Sequence, residues 1–70
     1  MVSDYFPENL RLCRLQKGLR QEDMANELHI TRQTYCNYEN GQRMPSADMI
    51  VAIATFLGVS TDDLLLGKIQ

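Results

Sequence analysis

The side chains best suited to chemistry lie on one face of a short predicted helix that follows Thr31. Thr31 is a residue type that commonly caps a helix, and the spacing of Tyr35 and Tyr38 turns both rings toward a core. The opposite face carries Arg32, Gln33, Cys36 and Asn37. Arginine, glutamine and asparagine can form paired hydrogen bonds with base edges in a DNA major groove. This face therefore predicts a helix that reads base sequence.

A second predicted helix precedes this one along the chain. From Gln21 to Leu28 the apolar residues Met24, Ala25 and Leu28 recur at helical spacing. A short corner joins the two helices, and a polar loop ending at Pro45 follows them. This arrangement is typical of a helix-turn-helix, in which the second helix enters the major groove.

The remaining apolar periodicities predict an all-α fold of five helices without strands. The helices span about Tyr5 or Pro7 to Lys17, Gln21 to Leu28, Arg32 to Glu39, Ala47 to Leu57, and a last segment opened by Ser60 and closed by Gly67. Besides the two tyrosines, the predicted core contains Phe6, Leu10, Cys13, Leu19, Ile50, Ile53, Ala54, Leu57, Val59 and Leu64. We expect one domain over residues 1–70, with a folded core of about 5–67 and a frayed end at 68–70.

The composition argues against several classes of protein. The chain has 70 residues, of which 44% are hydrophobic, and a net charge of -2. No apolar run approaches the roughly 20 residues of a membrane span, and the N-terminal residues lack the basic and apolar pattern of a secretory signal. Two cysteines without a partner pattern indicate a reducing compartment. We therefore expect a cytoplasmic protein without a membrane partner.

The charged residues are unevenly distributed. All but one of the seven basic residues lie between Arg11 and Arg43, whereas most of the nine acidic residues lie outside that segment. Net acidity counts mildly against nucleic-acid binding. A chain polarised in this way can nevertheless present a basic face to phosphate while its opposite end stays acidic.

A set of residues in register extends across residues 6–67. It comprises Leu10, Arg14, Gly18, Leu19, Gln21, Glu22, Ala25, Leu28, Ile30, Thr31, Tyr38, Glu39, Gly41, Pro45, Ser46, Ile53, Ala54, Leu57, Gly58, Val59, Ser60, Leu64 and Leu65. This set resembles the phage repressor/Cro type of helix-turn-helix domain, the XRE family. The resemblance implies a five-helix bundle that binds operator DNA, usually as a symmetric dimer.

The resemblance also implies roles for individual residues. The expected base-reading residues are Arg32, Gln33 and Asn37, with Thr34 at their flank. The expected phosphate contacts are Gln21, Asn40, Gln42 and Arg43, with Arg20 as an extra cation. Gln21 begins a helix, whose positively polarised N-terminus suits an anion. Arg32 could instead clamp a phosphate, and the loop residues could form only a solvated turn.

Two charged residues and two departures from the family pattern affect how the helices are held in place. Arg14 and Glu39 match a buried salt bridge that would set the tilt of the recognition helix; the alternative is two independent surface charges. His29 stands at the corner where relatives usually have glycine, so we expect positive φ there. Arg20 replaces the usual serine or threonine cap, and we expect that loss to cost about 1 kcal/mol.

The sequence offers no set of residues for catalysis, a metal or a cofactor. There is one histidine, and Cys13, Cys36 and His29 lack the spacing of a metal site. Cys36 is expected to point outward beside Arg32 and Gln33. It could act as a redox switch, although an incidental small residue is the favoured interpretation.

Surplus apolar residues fall outside the predicted core. They are Leu12 and Leu15 on helix one and Met49, Ala52 and Phe56 on helix four. The resemblance implies a homodimer that pairs at the corner between helices four and five, through Phe56, Thr61 and Asp63. Leu12 and Leu15 form the competing surface, and Phe56 could instead pack under Leu65 or Leu66.

We predict a sequence-specific DNA-binding transcriptional regulator, acting as a repressor, that binds a near-palindromic site in double-stranded DNA and catalyses no reaction. The main alternative is an antitoxin or another protein-interaction module with the same fold. Mild acidity and the surplus apolar residues favour that alternative slightly. A small enzyme is a more remote alternative, because no catalytic constellation is evident.

Overall fold

The computed structural model describes residues 5–66, which form five α-helices. These helices are α1 (Phe6–Gln16), α2 (Gln21–Leu28), α3 (Arg32–Asn40), α4 (Ala47–Leu57) and α5 (Thr61–Leu65). Residues 5–66 contain no strand, so the predicted all-α fold, with its helix-turn-helix at α2 and α3, is confirmed. None of the described helices is long and apolar enough to cross a membrane.

Three helix ends differ from the prediction. Helix α1 ends at Gln16, one residue before the predicted Lys17. Helix α3 continues through Asn40, which the sequence placed in the following loop. Helix α5 ends at Leu65, and the Leu66 N–H closes its last turn on the Asp62 carbonyl at 2.8 Å. Gly67, the predicted end, and residues 68–70, predicted to fray, lie outside the described residues.

Hydroxyl side chains begin three of the helices. The Thr31 Oγ1 accepts a hydrogen bond from the Thr34 N–H at 3.1 Å, and the Ser46 Oγ accepts from the Met49 N–H at 3.2 Å. At α5 a capping box is present: Ser60 and Asp63 each accept from the other's N–H. These bonds satisfy amides that the helix itself leaves unpaired, so they define where each helix starts.

Helix α2 begins differently, and the expected loss of its cap is only partial. Arginine has no hydrogen-bond acceptor, so the Arg20 side chain cannot cap the helix. Instead the Asp23 carboxylate accepts the Arg20 N–H at 2.8 Å and the Arg20 guanidinium at 3.0 Å. The side-chain bond with Arg20, followed by the backbone bond, lowers the pKa of Asp23. An acid inside the first turn therefore partly replaces the missing cap.

The corner between α2 and α3 depends on an unusual backbone angle at His29. This residue has φ 58° and ψ 40°, the left-handed conformation that the sequence predicted for it. Its N–H and that of Ile30 close the end of α2 on the Asn26 and Ala25 carbonyls, at 3.3 and 3.0 Å. The corner is thus tight enough to bring α3 across α2, with a strained residue at its apex.

The core contains all the apolar residues that the sequence assigned to it. The fully or largely buried ones include Phe6, Leu10, Cys13, Met24, Ala25, Leu28, Tyr35, Tyr38, Ile50, Ile53, Ala54, Leu57 and Leu64. Leu19 and Val59 are partly buried against them. Helix α3 packs on both α1 and α2, while α4 packs on α2 and α5. Helix α3 therefore lies against two others and exposes its remaining face.

Asn9 is a buried polar residue that the sequence analysis missed. Its Nδ2 donates to the Leu64 carbonyl at 3.1 Å, and the residue is 6% exposed. Because a buried amide needs a partner, this bond ties the end of α5 to the first turn of α1. Its position among apolar neighbours at the spacing of Phe6 and Cys13 was the available signal.

Candidate nucleic-acid interface

The exposed face of α3 carries the residues predicted to read bases. Arg32 and Gln33 are exposed, and Thr34 and Asn37 are half-buried. On the opposite face, Tyr35 is 0% exposed, and its ring meets that of Tyr38 edge to face with centroids 6.3 Å apart. The aromatic residues thus hold one side of the helix on the core and leave the polar side accessible.

Hydrogen bonds order the exposed side chains of α3. Gln33 Nε2 donates to Asn37 Oδ1 at 3.0 Å, one helical turn further along. The Thr31 hydroxyl donates to Thr34 Oγ1 at 2.9 Å, at the start of the helix. Gln33, Asn37 and Thr34 are therefore each held by one neighbouring side chain, in two separate pairs.

The Gln21 side chain lies between α2 and α3 rather than in solvent. Its Nε2 donates to Glu39 Oε1 at 3.1 Å. Its Oε1 accepts from Cys36 Sγ at 2.9 Å, with Arg32 Nη2 at 3.5 Å. The side-chain amide is thus engaged inside the protein, and the free amides of the first turn of α2 are the groups that suit an anion.

Cys36 differs from its predicted orientation. The sequence placed it outward beside Arg32 and Gln33, but it is half-buried and donates to Gln21. Its position on α3 is one helical turn before Glu39 and Asn40, on the side that faces the start of α2. Cys36 therefore belongs to the contact between the two helices.

Arg14 and Glu39 form a bidentate ion pair between α1 and α3. Arg14 Nε and Nη2 lie 2.6 and 3.1 Å from the two Glu39 carboxylate oxygens. The side chains are only 10% and 2% exposed, and Arg14 Nη1 also donates to the Leu19 carbonyl at 2.9 Å. The geometry corresponds to the structural pair suggested by the family resemblance, rather than to two independent surface charges.

The surroundings of this pair shift its protonation equilibria. Burial alone would raise the pKa of Glu39, but hydrogen bonds from Arg14, and then the polar groups of Tyr35 and Gln21, lower it overall. Burial, followed by the nearby Glu39 charge, raises the pKa of Tyr35. The Tyr35 hydroxyl is buried beside the pair without a hydrogen bond of good geometry in the described part of the chain.

This pair should make stability depend on pH at the acid end. Because the pKa of Glu39 is lower in the folded protein, its contribution is complete above the ordinary glutamate pKa of about 4.3 and is lost as the pH falls through the folded value. The difference in unfolding free energy between the wild type and Glu39→Gln should therefore be largest near pH 6 and shrink toward pH 3. Urea melts across this range measure it, and a constant difference would contradict the assignment.

The loop after α3 presents its polar side chains to solvent. The N–H groups of Gln42 and Arg43 donate to the Asn37 carbonyl at 3.0 and 3.3 Å, which closes the end of the helix. The side chains of Asn40, Gln42 and Arg43 are exposed. Arg20 is also exposed, but it is engaged with Asp23 at 3.0 Å and lies 4.0 Å from Glu22.

The residues expected in a dimer contact have different environments. Phe56 is 36% exposed and lines an open groove with Ala52 on the same helix and Leu28 on α2. Thr61 is half-buried, and the Asp63 carboxylate caps α5. On the competing surface, Leu15 is 48% exposed and Leu12 is half-buried. Phe56 therefore remains available, on the side of α4 that faces α2.

Comparison with known proteins identifies the class to which this fold and site belong. A helix-turn-helix family model matches residues 10–64. The chain therefore belongs to the helix-turn-helix family of the phage-repressor, or XRE, type. A crystal structure of a transcriptional regulator from Listeria innocua superposes with a TM-score of 0.80 at 29% identity, covering 93% of this chain and 60% of that one.

Particular relatives include a bacterial regulator and a phage repressor. The uncharacterised HTH-type transcriptional regulator YqaE of Bacillus subtilis is 48% identical over 90% of this chain and 54% of its own length. The cryptic phage CTXphi transcriptional repressor RstR of Vibrio cholerae is 32% identical over 86% of this chain and 54% of its own. The chain thus spans about half the length of these curated relatives.

Proposed function

We propose that this protein is a sequence-specific DNA-binding transcriptional regulator that acts as a repressor in the cytoplasm. The observation that carries the proposal is the polarity of α3, which buries Tyr35 and exposes Arg32 and Gln33 on its other side. A helix with this division can enter a major groove while its aromatic face stays in the core. The direction of control is part of the proposal, since relatives of similar identity are named as a repressor and as an activator.

Phosphate contacts would flank the base-reading helix. The exposed side chains of Gln42 and Arg43 lie just after α3, and the first amides of α2 lie on the same helix-turn-helix. Such contacts position a protein on DNA without carrying sequence information. Arg20 would join them by exchanging its bond with Asp23 for a phosphate, whereas Gln21 would act chiefly through its backbone amide.

A two-fold homodimer on a near-palindromic operator completes the proposal. One recognition helix reads only a few base pairs, and two helices one DNA turn apart, about 34 Å, double that reading. Phe56, Thr61 and Asp63 supply the proposed contact. Asp62 and Asp63 are exposed acids on α5 that would face their own copies, so the free protein should associate weakly.

The base and phosphate roles should separate in mutants. Gln33→Ala should remove preference at one base pair per half-site, at about 1–3 kcal/mol, because a paired base contact is lost. Arg43→Ala should weaken all sequences alike and reduce the salt slope by about one unit, because one counterion fewer is released. Binding to matched and mismatched sites at several salt concentrations measures both effects, and identical behaviour of the two variants would contradict the division.

An antitoxin or protein-interaction role is the second candidate. Val51 is 55% exposed and Phe56 36% exposed on α4, and the net charge of -2 suits a protein partner as well as DNA. Selection of bound sites from random DNA tests the first proposal. Recovery of a common near-palindrome would support the repressor, whereas binding without a steep salt dependence would favour the interaction module.

A further inference from the structure

The guanidinium of Arg20 lies beside two carboxylates at the start of α2. Its Nη2 donates to Asp23 Oδ1 at 3.0 Å, and its Nε donates to Asp23 Oδ2 at 3.3 Å. The Glu22 carboxylate is further away, with Oε1 at 4.0 Å from Arg20 Nη1. The hydrogen bond between Arg20 and Asp23 raises the pKa of Arg20 and lowers that of Asp23, as expected for two charges that stabilise each other. Asp23 is therefore the main partner of this arginine.

Arg20 lies on the side of the protein that we propose to bind DNA. It lines an open groove together with Thr31 and Arg32 at the start of α3. The Arg20 side chain is 74% exposed, so a ligand can approach it. A guanidinium can bind a phosphate with the same pair of N–H groups that it offers to a carboxylate. Asp23 and a DNA phosphate would therefore compete for one side chain.

The Arg20 side chain can leave Asp23 without loss of the helix start. Asp23 Oδ2 also accepts the Arg20 backbone N–H, at 2.8 Å. This bond caps α2 and does not depend on the guanidinium. Only the two side-chain bonds would break when Arg20 turns toward a phosphate. The cost of this exchange is that of an exposed ion pair, which is small.

We propose that Asp23 competes with a DNA phosphate for the Arg20 guanidinium, and that this carboxylate limits how much Arg20 adds to the affinity for DNA. Asp23 is thus a positioning residue, which holds Arg20 in the free protein and releases it in the complex. The inference rests on the proposed DNA-binding function. Because the ligand of Arg20 is a phosphate rather than a base, the restraint acts on every DNA sequence alike.

A double-mutant cycle on DNA affinity tests the competition. The wild type, Asp23→Asn, Arg20→Ala and the double variant are titrated with two duplexes of equal length at several salt concentrations. One duplex carries a site selected from random DNA, and the other has an unrelated sequence. Asparagine keeps an acceptor for the Arg20 N–H, and urea melts check that each variant is folded. Glu22→Gln is the matched control, because it removes the same charge from the adjacent residue, which is not hydrogen-bonded to Arg20.

We expect Asp23→Asn to bind both duplexes about two- to fivefold more tightly for each bound chain, the range for an exposed ion pair. In the Arg20→Ala background the same substitution should give a much smaller gain, as should Glu22→Gln in the wild type. Arg20→Ala should reduce the salt slope by about one unit for each chain, because one phosphate contact is lost. Asp23→Asn should leave the slope unchanged, since Arg20 reaches the phosphate in both proteins.

Three outcomes would overturn the inference. An equal gain from Asp23→Asn in both backgrounds would mean that only repulsion between Asp23 and phosphate was removed. An equal gain from Glu22→Gln would indicate a general effect of charge. The same salt slope in the wild type and Arg20→Ala would mean that Arg20 stays on Asp23 in the complex. A failure of the DNA-binding proposal looks different, because the wild type then binds neither duplex in a salt-dependent manner, before any variant is compared.

Discussion

Replacing Glu39 with alanine should lower the free energy of unfolding by about 3–5 kcal/mol, because it leaves a charged Arg14 buried without its partner. The Arg14 side chain is 10% exposed, and the Leu19 carbonyl is its other acceptor. Arg14→Ala should be costly for the same reason, since it strands the Glu39 carboxylate at 2% exposure. A domain of this size has a small margin of stability, so either variant should approach unfolding at room temperature.

The double variant should be less destabilised than the sum of the two single variants. Removing both charges relieves the cost of an unpaired one, so the interaction term of the cycle should be large. Denaturant melts of the wild type, both single variants and the double variant give this term. Glu22→Ala, whose side chain is 61% exposed, is the matched control and should change stability little. Strict additivity would mean that the pair does not contribute as a unit.

Destroying one half of the operator should reduce affinity by about a thousandfold at physiological salt. This figure is at the lower end of the gap between specific and non-specific binding, because one recognition helix alone reads too few bases. Titration of the intact and half-mutated sites measures the effect. Sedimentation of the saturated complex should give two chains per intact site, and one chain per site would contradict the dimer.

Two charge substitutions should locate the dimer contact. Phe56→Asp should abolish paired binding, because it replaces an apolar side chain of the proposed contact with a charge that would have to be buried against the second copy. Leu15→Asp is the matched control, since Leu15 is also exposed but lies on α1. Leu12 is half-buried, so its substitution would confuse stability with association. Loss of pairing in Leu15→Asp alone would place the contact on α1.

Much of the fold could be predicted because the relevant signals are local. The spacing of Met24, Ala25 and Leu28 defines the buried face of α2 from sequence. Thr31 and Ser46 mark helix starts because their hydroxyls bond amides three residues on. The alternation of buried tyrosines and exposed polar residues likewise predicts which side of α3 faces outward. None of these inferences requires knowledge of distant contacts.

Other features became visible only in three dimensions. The sequence predicted that Arg20 removes the cap of α2, but the short carboxylate of Asp23 reaches back to the Arg20 N–H. Asn9 has no local partner, and its acceptor is a carbonyl 55 positions further along the chain. The sequence alone cannot rank such pairings, because they depend on how α1 and α5 pack together.

The sequence by itself determined five helices, the polar outer face of α3 and the identity of the base-reading candidates, since helical periodicity places residues on faces without further information. Only the tertiary structure decided how the polar side chains are shared among partners. The family resemblance implied that the Gln21 side chain and a backbone amide hold a phosphate, but packing of α2 on α3 directs the side-chain amide to Glu39 and Cys36. A polar side chain forms its hydrogen bonds with the nearest available partner, and the relative position of the two helices decides which partner that is.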